Sequence, residues 1–191
     1  MFDKKEDKQR TLQWLNKLNA HNEGWYLGDE NKDSSLKSAD FINDYFHVVI
    51  ELKREKGELL DNKDGNLVGL SNRLEEYFSD GNEKFKSYPS HKSMLLIELK
   101  SFSMIAKLAM EGIKSLHFQN SNLVGTSIKN KNLFSNMEHT GAVVFWCTNK
   151  FENIAYYFEN PFSKPTIKIS QKEAEELIGS PLNLLELNNG Q

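Results

Sequence analysis

The stretch from Ala39 to Lys53 constrains this chain more than any other. Ala39-Asp40-Phe41-Ile42-Asn43 and Val48-Val49-Ile50-Glu51-Leu52-Lys53 read as two short strands, joined by the tight link Asp44-Tyr45-Phe46-His47. The second strand is rich in β-branched residues, which suit a pleated, half-buried surface. An antiparallel hairpin centred between Tyr45 and Phe46 sets Asp40 directly across from Glu51, with Cβ atoms roughly 5 Å apart. Side chains alternate along a strand, so Lys53 leaves the same face as Glu51. Two carboxylates and an ammonium are thereby expected at one strand end.

Carboxylates held this close repel each other, unless one is protonated or a cation sits between them. Carboxylate oxygens are hard ligands that suit Mg²⁺ or Mn²⁺. A neighbouring lysine can orient or activate a water, or stabilise charge on a phosphate oxygen. Together these are the parts needed to hydrolyse a phosphodiester. The plain alternative is a solvated cross-strand charge cluster with no chemistry.

Asp40, ten intervening residues and then Glu51-Leu52-Lys53 after an apolar strand resemble the motif of the PD-(D/E)XK nuclease superfamily, which includes restriction endonucleases, Holliday-junction resolvases and RecB-type exonuclease domains. Ala39 stands where the family often has proline. The likeness rests on residues 1–60 and beyond them on element order alone. It implies one domain over residues 1–191, with a restriction-endonuclease-like α/β core: a mixed central β-sheet flanked by helices. It also implies a Mg²⁺-dependent nuclease acting on nucleic acid, with DNA favoured over RNA. Asp40 and Glu51 would bind the metal, joined by the backbone carbonyl of Leu52, and Lys53 would assist catalysis. The rival is a non-catalytic interaction or regulatory module on the same fold.

Many members carry a further metal-site acid on the first helix. Glu6 has the apt distance from Asp40, but helical phase sets it about half a turn from the leucine stripe. Asp7 lies nearer the stripe's edge. Glu23 and Glu30, in the link that follows, are further candidates, so this role stays open. RecB-like members place a glutamine and a tyrosine four apart on a helix after the catalytic strand. Arg73 and Tyr77 hold that spacing here, so the glutamine is absent.

With 38% hydrophobic and 27% charged residues, the chain suits a soluble domain with its own core. No apolar run approaches the ~20 residues of a membrane span. The charged start, Met1 to Asp7, does not read as a signal peptide. The single cysteine, Cys147, excludes an internal disulfide and a cysteine zinc site. A cytoplasmic setting without membrane partners is the expectation. The five histidines form no close zinc pair. Phosphate-cradling glycine loops, dinucleotide fingerprints and serine elbows are also missing. The net charge is −3, yet residues 84–132 carry 8 lysines and 2 glutamates. That basic third is the natural source of phosphate contacts.

The remaining elements follow from periodicity. A first helix is expected over residues 4–20, with Leu12, Leu15 and Leu18 as its stripe. Trp25-Tyr26-Leu27 reads as a short strand, residues 68–78 as a helix and 79–91 as a loop. Ser90 is placed to cap a long helix over 92–116, because Leu95, Leu99, Phe102, Ala106, Ala109 and Ile113 recur at helical spacing. That segment holds a second acid-x-lysine triplet, Glu98-Leu99-Lys100, which matters only if residues 94–99 form a strand. Residues 117–141 read as a long loop, with His117, Gln119, His139 and Thr140 able to approach a substrate. Residues 142–148 and 153–158 read as a strand pair, and Thr166 to Ile169 as an edge strand. Ser170 and Glu173 form a capping box for a short helix ending near Gly179. The leucine-rich tail from Ser180 is expected to dock on the core or on a second subunit, which leaves a homodimer open.

Overall fold

The structure, a computed structural model, describes residues 4–17, 24–28, 37–54, 68–99, 113–119, 122–127, 137–148 and 153–184. Helix α1 (Lys4–Lys17) leads into β1 (Tyr26–Leu27), β2 (Phe41–Asn43), β3 (Val48–Arg54), α2 (Val68–Phe85) and β4 (Lys92–Leu99). The chain continues through β5 (Ile113–Gln119), β6 (Asn122–Ser127), β7 (Ala142–Thr148) and β8 (Asn153–Glu159). It ends with a 3₁₀ turn (Pro165–Ile167), α3 (Gln171–Ile178) and β9 (Asn183–Leu184). Seven strands form one mixed sheet in the order β1-β2-β3-β4-β7-β8-β9, while β5 and β6 pair separately. Among the described residues the result is an α/β fold with three helices.

The hairpin forms in the expected register: Phe41 pairs with Ile50, Ile42 with Val49 and Asn43 with Val48. His47 closes the turn in the left-handed region (φ 51°), its N–H donating to the Asp44 carbonyl at 3.4 Å. Beyond the hairpin the sheet turns parallel, β3 against β4 and β4 against β7. Parallel neighbours require a crossover, and α2 lies between β3 and β4 in the chain.

Alternation along the strands divides the core. Val49, Leu95, Ile97, Val143 and Phe145 face Leu74, Phe78 and Phe85 of α2. Val48, Ile50, Met94, Leu96 and Val144 face the other way, towards Leu15 of α1 and Ala174, Leu177 and Ile178 of α3. Each fully buried aliphatic or aromatic side chain contributes about 1.5–3 kcal/mol, so these two layers dominate the stability.

Several expectations change. Residues 79–85, expected in a loop, continue α2 to Phe85. Gly81 reads as a breaker, but it is the close-packing point of the helix: an added Cβ would stand 3.0 Å from Leu95 Cδ1. Residues 92–99 are a central strand and not the start of a helix. Met94 to Ile97 are buried on both faces, and only a sheet covered on two sides buries four consecutive apolar residues. Residues 113–127, divided between the expected long helix and long loop, contain the β5–β6 hairpin. Residues 165–167 form a 3₁₀ turn and no edge strand.

The expected strand pair is present, Ala142 to Thr148 matching Glu159 to Asn153. Ser170 caps α3 in a capping box with Glu173, and Gly179 ends it in the left-handed conformation. Leu182 docks the tail into the core, whereas Leu184 on β9 is exposed. Leu18, Asp61 to Gly65, Leu185 and Leu187 lie outside the described residues. No helix among the described residues is long and apolar enough to cross a membrane.

Candidate active site

β2 begins at Phe41, so Asp40 sits just before its first ladder residue, at the level of Glu51. A backbone clasp fixes it there, since the Gly28 N–H donates to the Asp40 carbonyl at 3.1 Å. Glycine is required at that point. A Cβ on residue 28 would lie 2.0 Å from the Ala39 carbonyl oxygen and 2.3 Å from Ser38 Oγ. Opposite, the Asp40 N–H donates to Glu51 Oε2 at 3.2 Å, and the Leu52 N–H donates to Asp40 Oδ2 at 3.0 Å. Asp40 therefore continues the ladder with its side chain where β2 has not yet begun. The N–H and C=O of a strand residue face the same side. The Leu52 carbonyl is accordingly turned to the edge where Asp40 lies.

Lys53 Nζ meets Glu51 Oε1 at 2.8 Å, so the three residues expected from the sequence do converge. Glu51 and Lys53 leave the face covered by α2, and that helix adds two groups the sequence reading missed. Lys84 Nζ lies 2.5 Å from Glu51 Oε1, and the Asp80 carboxylate accepts from Lys53 Nζ. Lys8 of α1 reaches Asp40 Oδ1 at 2.5 Å, and Lys37 stands 3.7 Å from Asp80 Oδ1. Asp80 and Lys84 are one helical turn apart and share a face. Ending α2 at residue 78 hid that signal.

Asp40 and Glu51 are 4% and 1% exposed, so their charges are deeply desolvated. Burial first, and then the Asp40 charge, raise the Glu51 pKa, and Lys84 and Lys53 reverse this only in part. Burial of Lys53 opposes its charge, but Glu51 and Asp80 outweigh it and hold the ammonium above its ordinary pKa. Asp80 is likewise held below the usual carboxylate range despite partial burial, chiefly by Lys53.

Asp40, Glu51 and the Leu52 carbonyl make an all-oxygen donor set suited to a hard divalent cation. Among the described residues there is no group of three or more His, Cys, Asp or Glu arranged to hold a metal. A third acidic ligand would have to come from elsewhere. The side chains of Glu6 and Asp7, and the whole of Glu23 and Glu30, lie outside the described residues, as does the Arg73 side chain.

Several other expected participants have partners of their own. Thr140 is buried, and it binds Asn82 Oδ1 together with the His139 N–H. His117 and Gln119 lie on β5. The second triplet does fall on a strand, yet Glu98 pairs with Arg54, beside it in the parallel ladder, and Lys100 is outside the described residues. Trp25 anchors its segment in the core, and the Tyr26 hydroxyl donates to Asp44 at 2.8 Å. Cys147 lies on β7, its side chain not described. Of the basic third, Lys84 joins the cluster, whereas Lys86 pairs with Glu83 and Lys92 with Glu173. Comparison with protein families, curated proteins and solved structures finds no match to this chain.

Proposed function

We propose that this protein is a Mg²⁺- or Mn²⁺-dependent nuclease of PD-(D/E)XK type that hydrolyses phosphodiester bonds, in DNA rather than RNA. The observation that carries this reading is the meeting of Asp40, Glu51 and Lys53 at the carboxyl end of β3. The element order helix, short strand, hairpin, helix, parallel strand supports the restriction-endonuclease-like core. Asp40, Glu51 and the Leu52 carbonyl would hold the cation. When bound, that ion supplies Lewis-acid stabilisation of a phosphate oxygen and a more acidic water.

The chain's own residues do the rest. Lys53 keeps its proton, so its task is to orient the attacking water and to steady charge growing on the phosphate, not to abstract a proton. Asp80 positions Lys53 from the side of α2. Lys8, Lys37 and Lys84 add positive charge where a phosphate would approach.

Incubation with plasmid, linear and branched DNA, with Mg²⁺ or Mn²⁺ and with chelator, tests the reading. Asp40→Ala and Lys53→Ala are expected to abolish cleavage while circular dichroism stays native. Cleavage retained by both variants removes it.

One observation favours a second reading. All four carboxylate oxygens of Asp40 and Glu51 already have an ammonium or backbone N–H partner. A non-catalytic interaction module would keep this cluster as a structural tie. Calorimetry with Mn²⁺ separates the two, because the module needs no cation and the nuclease does.

A further inference from the structure

The oxygens of Asp40 and Glu51 are held in two different ways. Glu51 Oε2 and Asp40 Oδ2 accept backbone N–H groups, from Asp40 at 3.2 Å and from Leu52 at 3.0 Å, so the hairpin itself fixes them. Glu51 Oε1 and Asp40 Oδ1 are met by ammonium groups on flexible stems. Glu51 Oε1 carries two of these, Lys53 at 2.8 Å and Lys84 at 2.5 Å. A carboxylate oxygen offers two lone-pair directions, and here both are taken. A cation that binds this oxygen has to displace one of the two. They are not equally anchored. Lys53 rises from β3 itself and also donates to the Asp80 carboxylate, a partner it keeps if Glu51 is taken away. Lys84 hangs from the last turn of α2, and Asp80 Oδ2 stands 3.8 Å from its ammonium, beyond hydrogen-bond reach. The Lys84 side chain is 19% exposed, so it borders solvent, and Lys37 on the other oxygen of Asp80 is 65% exposed.

An ammonium held by one buried carboxylate, on a stem that reaches solvent, is a replaceable cation. We infer that Lys84 is a placeholder: it neutralises Glu51 until a divalent cation takes that oxygen, and its ammonium then binds a phosphate of the nucleic-acid strand. The inference rests on the nuclease reading and names the residue that couples cation to substrate. The exchange has a thermodynamic signature. A cation alone strips Lys84 of its carboxylate. A strand alone draws Lys84 away and leaves buried Glu51 with one ammonium fewer, which is costly. Both together give every charged group a partner. Cation and strand therefore bind with positive cooperativity, and by linkage each raises the other's affinity by the same factor. The share of that factor supplied by Lys84 disappears when Lys84 is replaced.

The test is calorimetry of Mn²⁺ binding to the full chain, with and without a phosphorothioate DNA duplex whose integrity is checked on a gel. Lys84→Met is expected to bind Mn²⁺ about tenfold or more tighter than wild type in the absence of DNA, and its gain in Mn²⁺ affinity from the duplex should be smaller by about tenfold. Lys86→Met removes a charge from the same helix end, where Lys86 pairs with Glu83, and should leave both values unchanged. A second measurement needs no variant, so it holds even if Lys84→Met fails to fold. Brief acetylation of the wild-type chain, read by mass spectrometry, should find Lys84 protected in chelator, severalfold more reactive in saturating Mg²⁺ and protected again once duplex is added, with Lys86 as the internal reference. An undiminished duplex-linked gain in folded Lys84→Met overturns the inference. So does a Lys84 that stays protected while calorimetry shows the cation bound. Either result makes Lys84 a structural tie and leaves the nuclease reading intact. If neither protein binds Mn²⁺ with or without duplex, the nuclease reading itself fails and takes the exchange with it.

Discussion

Lys84→Met removes one of the two ammonium groups on Glu51 and keeps most of the side chain's length. Glu51 is 1% exposed and retains Lys53 at 2.8 Å and the Asp40 N–H at 3.2 Å. Stripping one partner from a fully buried ion pair costs about 3–5 kcal/mol. Lys84 is 19% exposed and Glu51 keeps other partners, so roughly half the lower figure, about 1.5 kcal/mol, is expected near neutral pH. For a chain of this size that is a fall in Tm of about 3–6 °C. The pH dependence has a definite sign. Burial and Asp40 already raise the Glu51 pKa in the folded state, and loss of Lys84 raises it further. An acid with a raised folded pKa costs stability above that pKa and nothing below its unfolded one. The deficit of the variant should therefore be full at about pH 8 and shrink towards about pH 4.5, where glutamate is protonating in the unfolded chain too. Urea unfolding of both proteins across that range measures it. The same change should favour a cation. A unit charge about 4 Å from a divalent ion is worth about 8 kcal/mol at an effective dielectric constant of 20; even if screening leaves only about a quarter of that, Mn²⁺ should bind about thirtyfold tighter. A stability loss equal at all pH values would trace to packing, and an unchanged Mn²⁺ affinity would refute the idea that an ammonium stands in the cation's place.

Gly28→Ala should destabilise by about 1–3 kcal/mol and dislodge Asp40, because its Cβ would sit 2.0 Å from the Ala39 carbonyl; denaturant melts and DNA cleavage should fall together. Tyr157→Phe should cost about 1–2 kcal/mol in the same melts, since the buried hydroxyl donates to the Ile169 carbonyl at 2.5 Å. The Tyr26 hydroxyl holds the Asp44 pKa below its ordinary value, so Asp44 adds stability above the unfolded carboxylate range and loses it as pH falls through the lowered folded pKa. Asp44→Asn should flatten the acid limb of stability against pH, read as unfolding midpoints from about pH 6 down to about pH 3.

The hairpin could be read locally because three constraints agree within fifteen residues: a four-residue turn, two apolar runs and one alternation. A slip of one residue would turn Val49 and Ile42 to the wrong face, so the register of Asp40 with Glu51 is over-determined. The capping box at Ser170 and the glycine stop at residue 179 are equally local. β4 was not legible. Leu95 and Leu99 have helical spacing with later residues, and only the two layers that cover Met94 to Ile97 make a strand the better solution. The continuation of α2 through Gly81 to Phe85 depends on Leu95, which packs against that glycine and is far away in the sequence.

Amino-acid order alone was enough for the carboxylate–lysine triad at the end of β3, since alternation and a short turn act between neighbours and need no partner. The surroundings of that triad came from the tertiary structure: Lys84 and Asp80 from α2, and Lys8 from α1. These groups meet only once helices have packed on both faces of the sheet. Long-range burial raises the Glu51 pKa and, from α2, Asp80 helps to hold the Lys53 ammonium against it; no local pattern encodes how much water the folded chain excludes around them.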